Sequence, residues 1–398
     1  MIKENTDNKI LHLEGLRGIL AIIVVINHFI LLFYPVYFIG SFDLKDFINS
    51  PSSYKILLAN TPANIFMNGS FAVCAFFGIS GYVLTLSYKK SNELKTLQKN
   101  ILKRYVRLII PVIATCLLIY LLFVSGAFTK ANYPANSPNL DFGQSLFKND
   151  LSFLRMIKMA LFNVPFSGNN LYLSVLWTIQ IEFLGVLVLF AFLMFTHGLR
   201  KRWVYGIIVI LACILLTRYY VPLLFAGSII CIYEERIRSF LTRRSVKIFL
   251  LLVFLFFAGV PNIANEAKIH TMYSFTTVFP FNVYPYFHNI ATVFLLLLII
   301  SSKSIKKVLS SKNLVRLGSL SFSVYLIHLP ILYCFGTYLM RMFKGDIPVV
   351  ALFLICFCAI IIFSVLFYLF IDRPAIAISN KLAKKFIPEA TPLMQAAN

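Results

Sequence analysis

Charge is scarce in this chain, and acid is scarcest. It has 15 Asp and Glu among 398 residues, and charged residues of both signs make up only 13%. A soluble domain is about 25% charged and needs a largely polar exterior. With hydrophobic residues at 59%, this chain has too much apolar surface for a globule in water to hide. Paired cysteines are lacking as well. All seven (Cys74, Cys116, Cys213, Cys231, Cys334, Cys356 and Cys358) fall in apolar runs, so no disulfide framework or zinc spacing can be drawn from them. No glycine-rich phosphate loop, metal-ligand cluster, soluble hydrolase motif, low-complexity tract or internal repeat stands out. The nucleotide-fold, metalloenzyme and solenoid classes therefore have no support.

What the chain has instead is apolar runs of spanning length. Ten candidate spans lie at about 18–36, 65–88, 108–128, 171–195, 203–219, 220–233, 248–263, 286–302, 317–339 and 348–371. The fifth and sixth are nearly contiguous, and the sixth is short. The expected fold is an all-α polytopic bundle of about ten spans. We divide it into a transmembrane unit over 1–380 and a short basic tail over 381–398. The first run is too long for a signal peptide, lacks a small-residue cleavage site and carries Asn27 and His28 inside, so it reads as a retained span.

The net charge of +22 has to be located before it is interpreted. Of the 37 Lys and Arg, 27 fall in six short stretches on one side of the spans: 1–17, 89–107, 196–202, 234–247, 303–316 and 372–398. That asymmetry places both termini in the cytoplasm of a cell (inner) membrane protein. It assigns most of the excess to topology and to anionic lipid, with no nucleic-acid partner. Two loops on the opposite side, 129–170 and about 264–285, are rich in aromatics and Pro. They suit either carbohydrate stacking or an interfacial belt.

Ionisable residues at membrane depth are costly and therefore informative. His28 follows Arg17 by 11 residues, a rise of about 16 Å and three turns plus about 20°, so both share one helix face. Glu182 and His328 reach similar depth from other spans. An imidazole there is a natural general base. Glu182 can orient it or simply pair with an Arg. His328, with Ser321 and Tyr325 on its own face, can serve the chemistry or form a packing seam. Arg104 and Arg107, three apart on a helix face, suit a phosphate or pyrophosphate, or lipid head groups. Ser80 lies in Phe76-Phe77-Gly78-Ile79-Ser80-Gly81, where the glycines permit close helix approach.

Taken in order, these segments resemble the membrane-bound acyltransferase-3 family. The similarity rests on Glu14-Gly15-Leu16-Arg17-Gly18 followed by His28, on Phe76 to Gly81, and on Arg104 with Arg107. It continues through Trp177 to Glu182, Ser321 with Tyr325 and His328, and Asp372-Arg373-Pro374. Thr178 and Gln180 stand where the family usually has serines, and no second acid follows Glu182. The resemblance implies a stand-alone form without a fused extracellular domain. It implies transfer of an acyl group, usually acetyl, from cytoplasmic acetyl-CoA, without a metal. The acceptor would be a hydroxyl of a lipid-linked, lipopolysaccharide or other envelope or exported polysaccharide. In that reading His28 and Glu182 are catalytic, and Arg17, Arg104 and Arg107 hold the coenzyme A phosphates. Ser80, Ser321, Tyr325 and His328 line the acceptor path or stabilise an oxyanion. The competing class is a proton-coupled secondary transporter using the buried His and Glu.

Overall fold

The computed structural model describes residues 10–33, 61–127, 152–216, 218–262, 272–279 and 283–387. Among these there is no strand. The apolar helices are α1 (Leu11–Phe33), α2 (Gly69–Ser91), α3 (Leu94–Val124), α4 (Ser174–Phe195), α5 (Arg202–Leu215), α6 (Val221–Ile232), α7 (Arg244–Ala258), α8 (Tyr284–Ser301), α9 (Lys312–Met342) and α10 (Val349–Phe386). Each expected span falls on one of them, but they are not equal. Seven are long and apolar enough to cross a membrane, whereas α5, α6 and α7 have only 14, 12 and 15 residues. Twelve residues rise about 18 Å, well short of a hydrocarbon core of about 30 Å. The reason is local: Pro222 sits in the first turn of α6, and Gly259 and Pro261 follow the end of α7.

Helix also extends beyond the apolar runs. The basic stretch expected as a loop over 89–107 is mostly helical. α2 ends at Ser91 on the left-handed cap Asn92, and α3 begins at Leu94. Lys and Arg are good helix formers, and their stems can lie along apolar surface. Arg104 and Arg107 are therefore three turns inside a helix rather than at its start. At the other end, α10 continues past residue 380 to Phe386. Within the stretches expected as loops over 129–170 and 264–285, the described residues include helix at Phe153–Lys158, a π-helical run at Met159–Ser167 and a short helical turn at Ser274–Val278; residues 129–151, 264–271 and 280–282 lie outside the described residues.

The outside of the bundle is apolar. Ile208, Leu211 and Leu215 on α5, and Val350, Ile362, Phe363 and Phe370 on α10, are exposed. Such faces are costly in water and ordinary against lipid. Inside, two backbone-to-backbone crossings set the frame. α1 packs along α9 and α2 along α6. A Cβ added at Gly318 would land on the Glu14 carbonyl oxygen, and one at Gly227 on the Gly78 carbonyl oxygen. Only glycine allows these approaches, and they bring Arg17 and Ser80 toward the bundle interior.

Candidate active site

A cavity with about 970 Å³ of free space, its mouth included, opens between α1, α2, α3, α4 and α9. Seven of the site residues expected from sequence line it: Arg17, Ser80, Arg104, Arg107, Glu182, Ser321 and Tyr325. Its other walls are mostly apolar, among them Val73, Phe76, Phe77 and Ile79. Residues scattered over some 300 positions of sequence therefore share one chamber. His28 and His328 do not line it.

The chamber is organised around Glu182. Its carboxylate forms an ion pair with Arg104 and accepts a hydrogen bond from Ser80 Oγ at 3.0 Å. Arg104 Nε also donates to the Glu182 backbone oxygen at 3.0 Å. Glu182 lies in the π-helical turn Ile181–Gly185. Such a turn lifts carbonyls out of the regular ladder, and π turns recur at functional sites. Of the two roles left open for Glu182, the geometry gives it the Arg partner; the contacts of His28 lie elsewhere. Arg17 pairs with Glu14 at 3.5 Å. Buried Asp372, in the π turn Tyr368–Asp372, lies near Arg107 and Arg17. Three guanidinium groups thus share the chamber, with Arg104 ion-paired to Glu182 and Arg17 to Glu14.

Deeper in, hydroxyls replace charges. Tyr325 O–H donates to the Val175 carbonyl at 3.0 Å. Thr178 Oγ1 lies 2.9 Å from Tyr325 Oη and 3.0 Å from the same carbonyl. The threonine that stands in for a family serine therefore keeps a working hydroxyl. Trp177, beside it, packs on Tyr220 at 4.9 Å, and Phe77 meets Tyr220 at 5.7 Å.

The histidines form their own pair. His328 is fully buried and its Nε2 lies 3.2 Å from His28 Nδ1, with ring centroids 4.9 Å apart. His28 Nδ1 is 3.0 Å from the Val24 carbonyl, and His328 Nδ1 is 3.0 Å from that of Val324. The Tyr325 ring, 6.0 Å from that of His328, connects the pair to the cavity wall.

Four polar features were not assigned from sequence. Thr178 was noted only as a substitution, and Asp372 only as part of a motif. Buried His288 lies against Asn68, Ser70 and the Val260 carbonyl at 3.0, 3.1 and 2.9 Å. Tyr82 O–H donates to Glu234 at 2.5 Å, and Glu234 pairs with Lys306 at 3.7 Å. A buried His close to the start of α8, with Asn68 and Ser70 at the start of α2, was the available signal for the His288 group.

These features define a multi-pass helical membrane protein with an arginine-lined chamber beside a buried histidine pair. The family profile described as an acyltransferase domain, type 3, matches residues 10–369, and the chain belongs to that family of membrane acyltransferases. No curated protein and no solved structure matches it.

Proposed function

We propose that this acyltransferase moves an acetyl group from acetyl-CoA to a hydroxyl of an envelope or exported carbohydrate, working in the cytoplasmic membrane with its donor on the cytoplasmic face. The observation that carries the reading is the chamber itself, where Arg17, Arg104 and Arg107 from two helices meet apolar walls. Guanidinium forks suit the diphosphate of coenzyme A, and walls such as Val73 and Phe76 suit its pantetheine arm. The acetyl thioester then lies toward Tyr325 and the histidine pair. An acceptor arriving past Trp177 and Tyr220 would meet aromatic faces that suit a sugar ring.

In the reaction, His28 takes the proton of the acceptor hydroxyl as the oxygen attacks the thioester carbonyl. Charge builds on the thioester oxygen, and hydroxyl donors such as Ser321 or Tyr325 are at hand for it. Tyr325 O–H is committed to Val175 in the resting protein, so it must turn to serve. Glu182 acts indirectly, by fixing Arg104.

The test uses purified protein in liposomes with labelled acetyl-CoA and an envelope glycan fraction. Wild type should pass label to glycan, with a mass gain of one acetyl group. His28→Ala should bind acetyl-CoA normally and transfer at least about 10³-fold more slowly. Retained turnover in that variant would sink the catalytic role. Solute accumulation without acetyl-CoA would favour a transporter instead.

A further inference from the structure

We infer that His328 is a positioning residue of His28: together with the Val24 carbonyl it accepts the Nδ1–H, so that Nε2 is the nitrogen that takes the proton. The inference rests on the acyl-transfer reading and adds the atom that reacts.

Donors and acceptors around the two rings decide the tautomers. A carbonyl oxygen only accepts, so a ring nitrogen facing one must carry hydrogen. His28 Nδ1 faces Val24 O at 3.0 Å, and His328 Nδ1 faces Val324 O at 3.0 Å. Each residue bonds back one turn along its own helix, so both rings carry hydrogen on Nδ1. In the neutral forms each Nε2 is then a bare lone pair. His28 Nδ1–H is shared between Val24 O and His328 Nε2, at 3.2 Å. All three contacts are satisfied at once. The opposite tautomers would satisfy the ring–ring contact alone and set two lone pairs against two carbonyls. A buried unmade bond of that kind is destabilising, and the alternative makes two.

The consequence is chemical. His28 Nε2 is left as the basic nitrogen, while Nδ1–H is held from behind, as a carboxylate holds the base in a hydrolase triad. A neutral imidazole suits this depth better than a carboxylate, because it leaves no net charge in the apolar interior while the enzyme rests. The proton balance closes. The acceptor O–H gives its proton to His28 Nε2, the C–O bond forms and the C–S bond breaks. The departing thiolate takes the same proton back from Nε2. His328 passes no proton; it accepts the Nδ1–H bond, which strengthens while His28 is an imidazolium.

Two size-matched variants test this in the reconstituted enzyme, with acetyl-CoA as the probe and transfer to the glycan fraction as the readout. His328→Gln can present an acceptor oxygen to His28 Nδ1–H; His328→Leu fills the site without one. For His328→Leu we expect kcat to fall about 10²-fold or more with KM for acetyl-CoA within about threefold of wild type, a split that loose packing would not give. His328→Gln should recover at least about tenfold of that loss. Equal activity in the two variants, or wild-type turnover in His328→Leu, overturns the inference while the acyl-transfer reading stands. Absence of transfer by the wild-type protein itself would overturn that reading, and this inference with it.

Discussion

The Arg104–Glu182 pair offers the sharpest test, because removing one partner confuses folding with function and removing both separates them. The two side chains are only 12% and 21% exposed. Breaking a buried ion pair from one side costs about 3–5 kcal/mol, since it strands the other charge. The open cavity lowers that here to about 2–3 kcal/mol. Arg104→Ala also leaves the Glu182 carbonyl without its 3.0 Å donor, adding about 1 kcal/mol. The single variant should therefore lose about 3–4 kcal/mol. Arg104→Ala with Glu182→Gln removes both charges and keeps an acceptor for Ser80, so it should be about 2 kcal/mol more stable than Arg104→Ala. Chemical unfolding in detergent measures both. Donor affinity should behave differently. A charge-assisted contact to phosphate contributes about 1.5–3 kcal/mol, so acetyl-CoA should bind about 10–100-fold more weakly to the single and the double variant alike. Equilibrium binding of acetyl-CoA to the two proteins decides the matter. A double variant that regains wild-type affinity would refute a phosphate-holding Arg104. One no more stable than the single would refute the electrostatic coupling.

Two further substitutions test the frame and the polar interior. Gly227→Ala drives a Cβ onto the Gly78 carbonyl, backbone against backbone. It should cost at least about 2–3 kcal/mol and weaken acetyl-CoA binding, because Ser80 lies beside that crossing; unfolding and binding titrations check both. Asn68→Leu removes bonds to the Ala258 and Val260 carbonyls at 2.8 and 3.0 Å and the helix cap on Phe71 N at 3.1 Å. It should lose about 2–4 kcal/mol. Asn64→Leu removes a single bond, to the Gly259 carbonyl at 3.1 Å, and should lose about 1–2; a reversed order in unfolding measurements would contradict the bonding pattern.

The sequence was most legible where one helix decides the outcome. Hydropathy located the ten apolar helices α1 to α10 but missed the helical Phe153–Lys158 and Met159–Ser167, and the rarity of charge at depth picked out Arg17, Glu182 and the two histidines. Lengths were less legible. Apolarity alone cannot distinguish a full span from α6, which Pro222 starts late. It also hid the helical character of residues 94–107, whose lysines and arginines resemble a loop only to a hydropathy scale. Pairing between helices was not legible. The 11-residue register from Arg17 to His28 set a face on α1, but that face meets the cavity at Arg17 and His328 at His28. Glu182 could be seen as buried; that it meets Arg104 is a contact between two helices, and neither that pairing nor the π turn that carries Glu182 has a composition signal of its own.

If the donor is acetyl-CoA, as proposed, the two tethers of Arg104 bear on how the site resets between turnovers. Arg104 has one tether to a side chain, which an arriving phosphate can displace, and one to a backbone oxygen, which it cannot easily move. When the donor draws the guanidinium from the Glu182 carboxylate, the Nε bond keeps the fork aimed at the chamber. The carboxylate stays beside it, waiting as the competing anion. Once the thiol product has formed, the same carboxylate can retake the guanidinium and help expel the spent carrier. With the proposed acetyl-CoA as donor, Glu182 would serve as a return spring for coenzyme release, with the carbonyl beneath it as the pivot.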